Sequence, residues 1–223
     1  MNKVIFFDLF FTLITPSYLE SKNENDVLGL TIKEWEQYAE NDVLYNRRAT
    51  GQVLSPEKII DDIVSMIPAK VNELQKREIL LLRQKRMQAA LINIDHQILS
   101  TIQKLKENGI KTCIISNADV IDTMYWDKSP LYALFDDAVF SHKVKYLKPD
   151  SYIYNVAMKK MNVNSSECIF VGDGGSNELF GAKRTGMRTV FTEYLEKKPE
   201  EKRIDLLEFA DFHITEFSEL LKI

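Results

Sequence analysis

The sequence predicts an α/β fold, a doubly wound parallel sheet interrupted by a helical module, and three observations carry that prediction. Five short runs, Val4–Phe7, Thr112–Ile115, Ala138–Phe140, Ile169–Val171 and Thr189–Phe191, are continuously apolar rather than alternating. That is the pattern of strands buried on both faces of a parallel sheet. Helical patterns lie between the later runs, which implies right-handed strand–helix–strand units. Between the first and second runs the chain carries helical patterning and no convincing strand.

Taken in order, Val4–Phe7 is the first strand and ends at Asp8. In the helical module, Thr31-Ile-Lys-Glu34 has capping-box spacing ahead of Trp35, Tyr38 and Ala39. Ser55-Pro56 supplies a cap and a first-turn proline before Ile59, Ile60, Ile63, Val64 and Ile67. A long helical stretch follows from Val71 to Ile92. Asp95 caps a helix bearing Ile98, Leu99, Ile102 and Leu105, with Gly109 as its stop. Asp150 caps another through Ile153, Val156, Ala157 and Met161, and a third runs from about Ser176 to Thr185 and stops at Gly186. The expected division is therefore a core of residues 1–13 and 94–223 with a helical cap of residues 14–93 inserted after the first strand. That insertion leaves and re-enters at the carboxyl end of the strand, where sites of open α/β sheets lie, so a lid is the expected role.

Composition narrows the function. The 223 residues carry 29 Lys+Arg against 33 Asp+Glu, a formal charge of −4, which gives no basic footprint for nucleic acid. No apolar stretch approaches the roughly 20 residues that span a bilayer, and Asp8 cuts the opening apolar run too early for a signal-peptide core. Cys113 and Cys168 sit in separate apolar segments without CxxC spacing, as buried free thiols do in a reducing compartment. A cytoplasmic protein acting on a small molecule, with neither nucleic acid nor membrane as partner, is the expectation. His96, His142 and His213 show no ligand spacing, so a histidine metal centre or a Ser–His triad has no support.

Four features fall at the carboxyl ends of the expected strands: Asp8 in Phe6-Phe-Asp-Leu-Phe-Phe-Thr-Leu13, Ser116-Asn117, Lys148-Pro149-Asp150, and Gly172-Asp173-Gly-Gly-Ser-Asn-Glu178. Each alone is weak. A strand-ending acid is often a cap, Ser-Asn a turn, and a lysine before proline a solvated side chain. Two acids five apart beyond flexible glycines can flank one ion.

In this order the four features resemble the haloacid dehalogenase superfamily across essentially the whole chain. The resemblance implies a Rossmann-like core with a cap, Asp8 as the nucleophile that forms an aspartyl intermediate, and Lys148 steadying Asp8 and the substrate anion. It implies that Ser116 and Asn117 bind the transferring group. It also implies Mg²⁺ held by Asp8, the Phe10 carbonyl and Asp173, with Glu178 joining or supporting Asp173. The chemistry explains the set: a carboxylate attacks an anionic phosphate poorly unless lysine and a divalent cation offset the repulsion. Hard oxygen ligands suit Mg²⁺. In the cap, Arg47 and Arg48 are candidates for gripping a substrate anion through bidentate pairing, with a surface ion pair expected of at least one.

Two positions pull in opposite directions. Phosphatases of the superfamily carry a second Asp two places after the nucleophile to protonate the leaving oxygen, and this chain has Phe10. Metal-free 2-haloacid dehalogenases also lack that Asp, so Phe10 points toward them, or toward a catalytically impaired binding protein. Asp173 points to the phosphatase, because those dehalogenases have a hydroxyl residue there. Three acids, Asp8, Asp173 and Glu178, converging on Lys148 as the one assigned cation also call for a metal. The expectation is a Mg²⁺-dependent phosphatase on a small phosphorylated metabolite.

Overall fold

The computed structural model describes residues 3–223, so the first two residues of the expected core lie outside the described residues. Six strands, β1 (Val4–Phe7), β2 (Lys111–Ser116), β3 (Asp137–Phe140), β4 (Cys168–Gly172), β5 (Arg188–Thr192) and β6 (Phe212–Ile214), form one sheet in the order β3-β2-β1-β4-β5-β6. Every pairing is parallel. The chain therefore builds outward from β1 on one side and then crosses to the other. This reversal places the switch point of the sheet between the carboxyl ends of β1, β2 and β4.

The sheet is buried on both faces, as its uninterrupted apolar strands require. On one face Ile5, Phe7, Ile114, Ile169 and Val190 pack with Ile98, Ile102 and Leu105. On the other, Val4, Phe6, Cys113, Ile115 and Phe170 pack with Ile153, Tyr154, Ala157 and Leu179. Alternate residues of one strand thus enter opposite layers. Cys113 and Cys168 are both buried and free.

Between β1 and β2 run α1 (Ile32–Ala39), α2 (Asp42–Ala49), α3 (Pro56–Ser65), α4 (Glu73–Ile92) and α5 (His96–Glu107). The expected caps form: Thr31 and Glu34 close a capping box, Ser55 accepts from Lys58 N with Pro56 in the first turn, and Asp95 accepts from Gln97 N and Ile98 N. Trp35, Ile59, Ile60, Ile63, Val64 and Ile79 share a separate apolar cluster, which Ile121 of α6 (Val120–Thr123) joins. The long α4 spans two layers, with Ile79 in that cluster while Ala90 and Leu91 pack under the sheet. Beyond β3 come α7 (Ser141–Val144), α8 (Ser151–Met161), α9 (Glu178–Arg184) and α10 (Glu200–Leu207).

Some elements differ from expectation. The helix expected from Ser176 begins at Glu178, because Ser176 and Asn177 take left-handed φ values of 53° and 51° and form a turn ahead of it. The edge strand β6 and helix α10 were not anticipated: Phe212 and His213 are exposed, and α10 buries none of its residues. Among the described residues, no helix is long and apolar enough to cross a membrane.

Candidate active site

Asp8 leaves β1 with its backbone N–H still bonded to the Val171 carbonyl of β4 at 2.9 Å, which fixes its side chain at the switch point. A tight turn follows, closed by bonds to the carbonyls of Leu9 and Ile14 rather than Phe10, with Phe11 at φ 57°. Asp173 follows β4 one residue beyond the position level with Asp8, and its Oδ1 accepts from Gly175 N at 3.1 Å. Glu178 opens α9, where its Oε1 accepts from Gly174 N at 3.0 Å and its backbone carbonyl accepts from the Tyr154 hydroxyl at 2.8 Å. Its carboxylate lies against Gly172, where an added Cβ would come within 2.1 Å of Oε1, so a side chain there would push the Glu178 carboxylate out of place.

These elements bring Asp8, Asp173 and Glu178 together. One carboxylate oxygen from each lies within 4.8 Å of the others, and all three residues are buried. Lys148, 4% exposed, reaches in from the loop before α8. Its Nζ donates to Asp8 Oδ1 and, at 2.5 Å, to Glu178 Oε2. The loop is placed by Asn117: Oδ1 accepts from Lys148 N at 2.7 Å and Nδ2 donates to the Lys148 carbonyl at 3.1 Å. Asn117 therefore spends its amide on positioning Lys148, although it also lines the cavity above Asp8. Ser116 is fully buried, its hydroxyl 3.5 Å from the Asn117 carbonyl, and lies outside that lining. Lys143 and Lys145, the other lysines just before Lys148, are exposed.

Electrostatics follow from burial. Desolvation, with repulsion from Asp173, raises the Asp8 carboxyl above its ordinary range despite Lys148. Glu178 is raised further by burial and by Asp8. Burial opposes the charge on Lys148, but Asp8 and Glu178 outweigh it and hold the ammonium firmly protonated.

One participant was missed from sequence. Lys198, on the loop after β5, donates to Asp173 Oδ2 at 2.6 Å and also pairs with Glu196. Its backbone is held by the buried Glu193, which accepts from Lys198 N at 2.7 Å and from Arg203 Nε at 2.7 Å. The charge count is thus three carboxylates against two ammoniums, an excess of one rather than two. No motif marks Lys198; a long-range loop contact brings it in.

A cavity of about 650 Å³ opens over these groups, and Phe10, Tyr45, Arg48, Arg83, Arg86 and Met87 are among its walls. Of the two arginines named from sequence, Arg48 lines it, whereas Arg47 is 43% exposed and 3.5 Å from Asp62. Arg47 thus forms the surface ion pair, and the expectation that it grips substrate is not supported by its position.

A sequence model of haloacid dehalogenase-like hydrolases matches residues 2–186. The chain belongs to that family. The hydrolase is 29% identical over 234 residues to the glyceraldehyde 3-phosphate phosphatase of Pyrococcus furiosus, covering 99% of this chain and 92% of the relative. Among solved structures it resembles a HAD family enzyme from Bacteroides thetaiotaomicron, crystallised with magnesium and inorganic phosphate (TM-score 0.68, 18% identity, covering 91% of this chain and 99% of that one). A 2-haloacid dehalogenase from Pseudomonas syringae pv. tomato is equally similar in fold (TM-score 0.68, 20% identity, 100% and 97% covered). Such structural likenesses establish the fold, which phosphatases and dehalogenases share.

Proposed function

We propose that the hydrolase is a Mg²⁺-dependent phosphatase that acts on a small phosphomonoester through an aspartyl-phosphate on Asp8. The observation that carries this reading is the buried convergence of Asp8, Asp173 and Glu178, whose oxygens lie within 4.8 Å of one another. Two lysines leave one negative charge uncompensated there, and burial has already raised Asp8 and Glu178. An all-carboxylate donor set with unmet negative charge suits a hard dication. The residues present therefore fit Mg²⁺, which Asp8, Asp173 and the Phe10 carbonyl would hold, with Glu178 beside them. Bound there, it would neutralise charge on the phosphoryl oxygens. The Pyrococcus furiosus relative, a glyceraldehyde 3-phosphate phosphatase, supports the same reading.

In this reaction Lys148 fixes one oxygen of Asp8, while Oδ2 has the Thr12 hydroxyl at 3.5 Å as a weak partner. A carboxylate oxygen of Asp8 bonds to phosphorus as the ester P–O bond breaks, and the departing oxygen takes a proton from water because Phe10 has none to give. Water then attacks phosphorus as the Asp8 O–P bond breaks, its proton neutralising the hydroxide left by the first step, which releases hydrogen phosphate and restores the carboxylate. Residues 14–93 serve as the cap that covers the site, because Arg48, Arg83 and Met87 from α2 and α4 wall the cavity.

The dehalogenase alternative, motivated by Phe10, is not favoured: a haloacid would bring a further carboxylate to a site already in excess of acid. Assaying a phosphomonoester panel with Mg²⁺ or EDTA, beside chloride and bromide release from 2-haloacids, tests the choice. Phosphate release that requires the metal is expected. Halide release in EDTA, or no ester turnover with any divalent ion, would overturn the reading. Phe10→Asp should raise phosphatase kcat by at least about tenfold, since general acid catalysis typically contributes 10²–10⁴. An unchanged rate in a folded variant would count against the role assigned to position 10.

A further inference from the structure

We infer that the cap-side wall of the cavity selects phosphomonoesters whose leaving group is uncharged and hydroxylated, and rejects those bearing a second anionic group. This rests on the phosphatase reading and names its substrate class.

The wall looks basic from its arginines, but each is ion-paired to carboxylates around it, while Arg48 Nη1 and Arg83 Nε and Nη1 are buried without a hydrogen-bond partner. Arg48, 2% exposed, donates from Nη2 to Glu40 at 2.8 Å and has Nε 3.0 Å from Asp119. Arg83, also 2% exposed, donates from Nη2 to Asp119 at 3.3 Å and to Asp122 at 3.2 Å. Its Nη1 lies 3.8 Å from Glu40. Arg86 donates from Nε to Glu24 at 3.0 Å and from Nη1 to the Pro16 carbonyl at 2.9 Å, with its guanidinium 4.6 Å from the Tyr18 ring centre. Glu36 stands on the same wall and accepts from the Tyr18 hydroxyl at 3.2 Å. Three guanidiniums thus face five carboxylates, those of Glu24, Glu36, Glu40, Asp119 and Asp122, a net excess of two negative charges.

A carboxylate or second phosphate on the leaving group would enter a field in which every guanidinium already faces carboxylates and the net charge is negative. Such a group also offers only acceptors, whereas Glu36, Glu40 and Asp122 are themselves acceptors that call for donors. A hydroxyl supplies both: its proton satisfies a wall carboxylate and its oxygen accepts from a guanidinium. Like-charge juxtaposition in a confined site is costly enough to discriminate by orders of magnitude.

The test compares matched esters on the purified full chain with Mg²⁺: sn-glycerol 3-phosphate and D-glyceraldehyde 3-phosphate against 3-phosphoglycerate. The neutral esters should exceed the carboxylate by about 100-fold in kcat/KM. Glu40→Gln, at a half-exposed position, should narrow that ratio about tenfold by lowering KM for 3-phosphoglycerate, and Glu36→Gln should act in the same direction. Equal or better turnover of 3-phosphoglycerate, or a ratio that neither folded variant moves, would overturn this inference while leaving the phosphatase intact. No turnover of any of the three esters beside turnover of another phosphomonoester would overturn this inference alone, and no turnover of any phosphomonoester would overturn both readings.

Discussion

Asp8→Asn should reduce phosphatase turnover by at least about 10⁴-fold, the scale on which removal of a nucleophile is felt, while leaving a folded protein. The amide is nearly isosteric and its carbonyl can still accept from Lys148, but it cannot attack phosphorus. Stability gives a second readout. Asp8 is one of three buried acids facing two lysines, so removing its charge evens the count, and the metal-free variant should melt no lower than the parent. Mg²⁺ affinity, read by calorimetry, should fall. Residual turnover within tenfold of the parent would mean that another group attacks.

Lys148→Met should be the most destabilising single change at the site. It strips the cation from two buried carboxylates, and breaking a buried pair by removing one partner costs about 3–5 kcal/mol. The sign of the pH dependence follows. Asp8 and Glu178 already have folded-state values raised by burial, and without Lys148 both rise further. A raised acid contributes stability that is complete below its unfolded value and is lost as pH climbs through the folded one. Urea unfolding should therefore show the variant approaching the parent near pH 4 and falling well below it at pH 7, with added Mg²⁺ recovering part of the loss. Turnover should drop by about 10²–10³-fold, as when one charge-stabilising donor is removed. A variant as stable as the parent at pH 7 without metal would contradict the buried-pair account.

What the sequence revealed was local. Strands β1 to β5 announce themselves because each is buried on both faces along its middle, so its central residues are mostly apolar, and the observed strands exceed the expected runs by only a residue or two. The caps at Thr31, Ser55, Asp95 and Asp150 were readable because a cap is a contact between residues a few places apart. Asp8, Lys148, Asp173 and Glu178 were found because the sheet topology carries strand ends to one place. The misses are nonlocal or solvated. Strand β6 has three residues and an exposed face, which leaves no apolar run to detect. Lys198 joins the site only because Glu193 holds its loop, and Asp173 lies 25 positions away. Arg83 and Arg86, three apart on a charged helix, look like surface residues until Asp119, Asp122 and Glu24 are brought to them across separations of 36, 39 and 62 residues. The same distance hides the ion pairs of Arg48, because Asp119, its second partner, sits far along the chain.

Phe10 marks where the local pattern and the site disagree. It lines the cavity and packs against the sheet cluster, so it serves the fold at a place where phosphatase chemistry favours an acid. A slow phosphatase is the outcome expected of that substitution.

The covalent role of Asp8 is tested most directly by borohydride trapping. Enzyme mixed with a turned-over phosphomonoester and Mg²⁺, then quenched into borohydride, should yield a peptide with homoserine at position 8, absent when substrate or metal is omitted. Phosphate released at full rate with Asp8 recovered unmodified at every quench time, while acetyl phosphate is reduced in parallel, would contradict the account.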